Sequence, residues 1–313
     1  MRYIMGIRRK AMSQSMRRPA SGLASVHLIA WVFILLGMGA ADQVLASAWT
    51  VQLTLMRDTI EDAMIMPSAL FIDQEREQYY VVDSGKNRLL SFNRQGALLN
   101  VFNAGGALKT PFDMVRTEDG MIWVVEKGRN SLTSIDLQGK KTTPHTLRSR
   151  AGAVYPHRLE TDGEQLFVQD SASGDIIVYD SGLREQQRFV CTECSQGFFD
   201  FKVAAGKIWA LDWLGKSVYV LAMSGTVEKT IRLGDEVTYP VSLALGPGGY
   251  LFVLDRHSRQ VVVFDPDGAF KYRLLQQGIA TGQWYYPVEI LFDPWDGMCI
   301  VDEGNARVEV SQQ

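Results

Sequence analysis

From Pro67 onward one pattern of apolar and polar positions recurs every 40 to 47 residues: Pro or an equivalent, an apolar strand, a Gly or acidic turn, then an apolar strand ending in an acid. The units start at Pro67, Pro111, Pro156, Asp200, Pro240 and Pro287. Their second strands run over 78–83, 121–126, 165–170, 207–212, 250–255 and 297–302, and end at Asp83, Glu126, Asp170, Asp212, Asp255 and Asp302. A short polar turn and a third strand rich in β-branched and aromatic residues follow each acid, as in Asp175-Ile176-Ile177-Val178-Tyr179. A turn carrying Gly, such as Pro266-Asp267-Gly268, then leads to a more polar fourth strand. Four short antiparallel strands in a unit of this length make one propeller blade.

The last unit stops after its third strand, and the missing fourth lies at the other end of the chain. Trp49-Thr50-Val51-Gln52-Leu53-Thr54-Leu55 alternates apolar and polar residues, as a half-buried strand does. Adding it to the sixth unit closes the ring and removes two exposed edges. The predicted fold is therefore all-β, a six-bladed β-propeller over residues 49–313.

The first 48 residues differ in kind. Arg2, Arg8, Arg9, Lys10, Arg17 and Arg18 precede the apolar run from Val26 to Leu36, small residues follow, and Ala46-Ser47-Ala48 offers an A-x-A site. This order describes a secretory signal peptide over 1–48, and hence a periplasmic or secreted protein. An uncleaved anchor is the alternative reading, but Asp42 interrupts the apolar run before it reaches the roughly 20 residues of a spanning helix.

Composition adds two limits. Removing residues 1–48 leaves 26 basic and 34 acidic residues, a net charge of -8, which does not draw nucleic acid or anionic lipid. Three cysteines occur, Cys191, Cys194 and Cys299, and in an oxidising compartment Cys191 and Cys194 can close a small disulfide. A redox or metal role is the sharper reading of C-x-x-C, yet no second such pair and no adjacent histidine is present, which excludes haem attachment.

The run Val82-Asp83-Ser84-Gly85-Lys86-Asn87-Arg88-Leu89-Leu90-Ser91-Phe92 resembles the core motif of the NHL repeats, and Val301-Asp302-Glu303-Gly304-Asn305-Ala306-Arg307-Val308-Glu309-Val310 repeats it. The other four units keep the acid but carry Ser131, Asp175, Ser217 and Gln260 where the motif has Arg. The resemblance implies a rigid disc of NHL or TolB-like type with loops on two faces and a central channel, used mostly to bind proteins and in some members RNA. Similar six-bladed propellers include metal-dependent lactonases, strictosidine-synthase-like enzymes and peptidylglycine amidating lyases.

The candidate chemistry follows from this frame. The six repeat acids read first as structural groups that accept backbone N–H bonds from the following turn, with Asp83 and Asp302 also paired to Arg88 and Arg307. Two positions after each unit start stand Ala69, Asp113, Arg158, Lys202, Ser242 and Glu289, with His157 beside Arg158. These are expected at the channel mouth, either as a polar ligand site or as a solvated funnel of ion pairs. His145 falls on an outer strand and His257 in a turn, so the histidines do not converge. Trp213 and Trp284 are candidate protein-binding anchors, while Phe199 and Tyr286 are expected to pack between blades.

The sequence thus predicts a non-catalytic propeller without a cofactor, monomeric by itself, that binds a protein, peptide or envelope component. The alternative is a channel hydrolase or lyase holding calcium or zinc on Asp113 and Glu289.

Overall fold

The computed structural model describes residues 49–56 and 62–313, so the segment read as an export signal lies outside the described residues. Six four-stranded antiparallel sheets are arranged as a β-propeller. The innermost strands are Pro67–Asp73, Pro111–Arg116, Pro156–Thr161, Asp200–Ala204, Pro240–Leu245 and Pro287–Phe292. In the first five blades the strands follow chain order outward; the sixth takes Thr50–Leu55 as its outermost strand. That strand pairs antiparallel with Arg307–Gln312, placing Thr50 opposite Gln312 and Leu55 opposite Val308. The chain thereby closes the ring on itself, as the alternation in 49–55 predicts. Among the described residues no helix is long and apolar enough to cross a membrane.

The core lies between blades. Each of six clusters of buried side chains joins two neighbouring sheets; Leu70, Val81 and Leu90 of the first blade, for instance, meet Cys299, Val301 and Val308 of the sixth. Both faces of the inner strands are therefore dry, which is why second strands such as Leu251–Asp255 read as unbroken apolar runs. Outer strands such as Phe270–Leu275 are largely exposed and correspondingly polar. Burying one large apolar side chain contributes roughly 1.5–3 kcal/mol, so six such interfaces supply the main drive for assembly.

The repeat acids are buried at the ends of the second strands, and their commonest partner is the loop that enters the same blade. Asp83 accepts from Ile65 N at 2.8 Å, Asp170 from Tyr155 N at 2.8 Å and Asp302 from Tyr285 N at 2.9 Å. Glu126 and Asp255 accept in the same way from Lys109 N and Thr238 N. Bonds to the following turn, expected at every acid, occur at Asp170, Asp212 and Asp255. Asp83 also takes the Arg88 guanidinium at 2.7 Å, whereas Arg307 is 4.0 Å from Asp302, pairs with Glu309 at 3.0 Å and donates to the carbonyls of Ile279, Ala280 and Gln283. In five of the six blades the carboxylate ties the incoming connection to the blade; in the fourth, Phe199 N bonds the Leu211 carbonyl instead and Asp212 holds only the following turn.

Candidate functional site

Two places gather polar or exposed groups, the axis and the loop face around it. At the axis, one residue per innermost strand stands opposite the residue that precedes the repeat acid: Ala69 opposite Val82, Asp113 opposite Val125, Asp200 opposite Leu211, Ser242 opposite Leu254 and Glu289 opposite Val301. Arg158 fills this place in the third blade. The fourth blade therefore departs from the expected register: Asp200 occupies the ring, and Lys202 sits two residues further along the same strand, opposite Trp209. The two-residue hairpin turn of that blade sets this register. Ala205 and Gly206, both at positive φ, bring Ala204 directly opposite Lys207. Counting from that turn, rather than from the missing Pro, is the sequence signal that locates Asp200.

The ring groups bind one another and the next blade. Asp113 accepts from Leu159 N at 3.0 Å, Asp200 from Leu243 N at 3.1 Å, Ser242 from Ile290 N at 3.3 Å and Glu289 from Leu70 N at 2.8 Å. Each is a hydrogen bond that a ring side chain accepts from the strand of the following blade. Arg158, only 4% exposed, lies among Asp200 at 3.7 Å, Asp113 at 3.9 Å and Glu289 at 3.9 Å, and donates to the Val288 carbonyl at 3.2 Å. Lys202 bridges Glu160, a carboxylate not anticipated from the sequence, at 2.7 Å and Glu289 at 3.4 Å.

The electrostatics follow from burial in this cluster. Burial, reinforced by the Glu289 carboxylate, raises the Asp113 carboxyl above the usual range. Burial also raises Glu160. Burial opposes the charges of Arg158 and Lys202, but the surrounding carboxylates outweigh it and both groups are held protonated. His157 is pushed down to about 2 by burial and by the charges of Arg158 and Lys127, and is a neutral ring packed between Phe112 and Phe199. Lys127 is lowered to about 8, chiefly by burial and then by Arg158.

Asp113 and Glu289, the carboxylates expected to hold calcium or zinc, already have partners on every oxygen. Both Asp113 oxygens accept backbone N–H bonds, from Met114 and Leu159, and both Glu289 oxygens are taken by Leu70 N and Lys202. Among the described residues no three His, Cys, Asp or Glu side chains come together as metal ligands. His145 lies on the outermost strand of the second blade, 2.9 Å from Ser134 Oγ, and His257 is exposed in a turn.

The loop face carries the opposite character. Phe112, His157, Phe199, Trp213 and Tyr239 form a chain of ring contacts with centroids 4.9 to 6.0 Å apart, crossing four blades. Exposed apolar residues sit on loops of the same face: Ile65, Met66, Tyr155, Leu214, Tyr239 and Tyr286. Two expectations are corrected here. Trp284, expected as an exposed anchor, is 2% exposed, because its loop folds back through the bond from Trp284 N to Gln276 O and sends the indole into the core between the fifth and sixth blades. Tyr286, expected to pack between blades, is 44% exposed. Phe199 is half-buried in the ring chain, and it is its neighbour Phe198 that fills the core.

No protein-family model matches the chain, and no curated protein matches it in sequence. Solved structures are similar to it in shape. Virginiamycin B lyase from Staphylococcus aureus aligns with a TM-score of 0.59 and 14% identity over 78% of this chain and 79% of that one. A streptogramin B lyase aligns at 0.63 and 11% over 84% and 97%. A gluconolactonase from Xanthomonas campestris aligns at 0.60 and 14% over 82% and 88%. Likeness at this identity shows the propeller fold, and function must be argued from the site.

Cys191 and Cys194 are bonded as a disulfide in the loop between the third and fourth blades, with Cα atoms 5.4 Å apart. Cys299 is a buried free thiol that burial holds well above the ordinary range.

Proposed function

We propose that the chain is an exported, non-catalytic propeller of NHL type that holds a protein or peptide partner of the cell envelope on its loop face. One contrast carries this reading: Asp113, Asp200, Ser242 and Glu289 at the axis each accept a backbone N–H of the next blade and so join blades, while aromatic and apolar groups stay exposed on the loops around it. Exposed aromatic side chains that are already ordered lose little entropy on binding and make good interface anchors. The disulfide between Cys191 and Cys194 supports placement in an oxidising compartment, the periplasm or beyond.

Trp213 is the anchor to test, since it touches Phe199 and Tyr239 and its neighbour Leu214 is exposed. Trp213→Ala is expected to weaken capture of the native envelope partner at least tenfold in cross-linking and titration of residues 49–313, with little change in the melting temperature. Turnover of lactones or esters that is lost in Glu289→Gln would overturn the reading in favour of a channel enzyme.

A further inference from the structure

On the loop face, the turn after the fifth blade's repeat acid and the two loops beside it enclose a cleft of about 400 Å³. Its lining residues are Tyr239, Arg256, His257, Arg259 and Tyr286. None carries a carboxylate, which stands out in a chain whose formal net charge is -3. Arg259 stacks its guanidinium over Tyr285, 4.7 Å from the ring centroid, and lies 5.6 Å from that of Tyr286. A cation held by its flat faces keeps its N–H edge directed outward. Among the described residues no acceptor meets that edge. Arg256 lies 5.7 Å from the Tyr286 ring and uses one nitrogen on Glu303 at 3.2 Å, a pair open to solvent. The repeat acid beneath, Asp255, is fully buried, accepts from Thr238 N and Ser258 N, and makes no direct pair with either guanidinium.

A site with two guanidiniums, an imidazole and two phenol hydroxyls is rich in donors, and the one carboxylate at its edge, Glu303, meets Arg256 and leaves Arg259 open, which is the chemistry of anion capture. The geometry points to a carboxylate-binding subsite for an acidic peptide segment: the carboxylate pairs side-on with Arg259, and Tyr239 and Tyr286 flank its apolar stem. Two observations select a peptide. The positive charge is local, so a single carboxylate is drawn in while a polyanion meets the acidic field of the whole chain. Exposed Met66, Tyr155 and Leu214 on the same face add apolar contacts that a peptide uses and a bare anion does not. This subsite rests on the loop-face reading above and names the chemistry of its partner.

The test titrates residues 49–313, by calorimetry, with an unlabelled, end-capped leucine-rich peptide that carries a single glutamate, and with its glutamine counterpart. The glutamate peptide is expected to bind at least tenfold more tightly, and Arg259→Gln to remove at least tenfold of that affinity without shifting the melting temperature. Raising ionic strength weakens it, and Arg259→Lys retains part, since charge remains but the fork is lost. Arg184→Gln, on a solvent-exposed turn that pairs with Asp180, is expected to change nothing. Equal binding of the two peptides, no effect of Arg259→Gln, or tighter binding of heparin than of the glutamate peptide would each overturn the proposal. If Trp213→Ala releases the native partner and Arg259→Gln does not, the loop-face reading stands and the subsite falls. If Arg259→Gln releases the glutamate peptide while the native partner ignores Trp213→Ala, the subsite stands and that reading falls.

Discussion

His157 is a residue whose burial leaves a measurable mark on pH dependence. Its ordinary value is about 6.5 and in the fold it is pushed down to about 2, so the folded chain refuses a proton that the unfolded chain accepts. A depressed value means the stabilisation is present above about pH 6.5 and is lost as the pH falls below it. Between pH 7.5 and 5.5 this group alone removes about 1 kcal/mol of folding stability. His157→Gln, which cannot titrate, is expected to lose about that much less than the parent over the same interval in urea unfolding. A parallel pair of profiles would show that the imidazole is not shielded as its contacts with Phe112 and Phe199 indicate.

At the level of elements, the innermost strands are joined edge to edge by their own ring side chains. Asp200 accepts from Leu243 N of the next blade and faces Arg158, so Asp200→Ala strands a buried N–H and removes the carboxylate nearest the central cation. The expected cost is about 2–3 kcal/mol, read as a lower urea midpoint with unchanged slope. Asp200→Asn recovers part of it, because an amide oxygen still accepts from Leu243. Insensitivity of the midpoint to Asp200→Ala would reject the inter-blade link. The alternation of apolar and polar residues located these strands, and the acid at each second strand marked their ends. It did not locate Asp200 in the ring or Glu160 beside Lys202, because register within a hairpin depends on turn length, which differs in the fourth blade.

For the whole molecule, closure by Thr50–Leu55 decides whether the disc has a free edge. Leu55 is fully buried between the first and sixth blades, and Trp49 meets Phe252 and Phe292 between the fifth and sixth. A chain beginning at residue 57 exposes the strand Arg307–Gln312 as an unpaired edge. Such a chain is expected to elute from size exclusion as aggregates or swapped multimers, whereas a chain beginning at residue 49 elutes as a monomer. A monomeric, equally stable shortened chain would show that the sixth blade does not need its borrowed strand.

The amino-acid sequence by itself determined the blades, their number and the way the ring closes. Those features are written in period-2 patterning, in turn residues and in an acid that recurs once per blade, all of which act over a few residues. Tertiary structure alone decided which exposed-looking aromatics are exposed. Trp284 and Tyr286 stand two residues apart, yet the fold-back to Gln276 buries one and leaves the other open. It also decided that charges of both signs meet at the axis, and that Arg256 and Arg259 share a cleft with Tyr239 and Tyr286. Contacts between blades join residues far apart along the chain, and no local pattern records which side chain of one blade will meet the next.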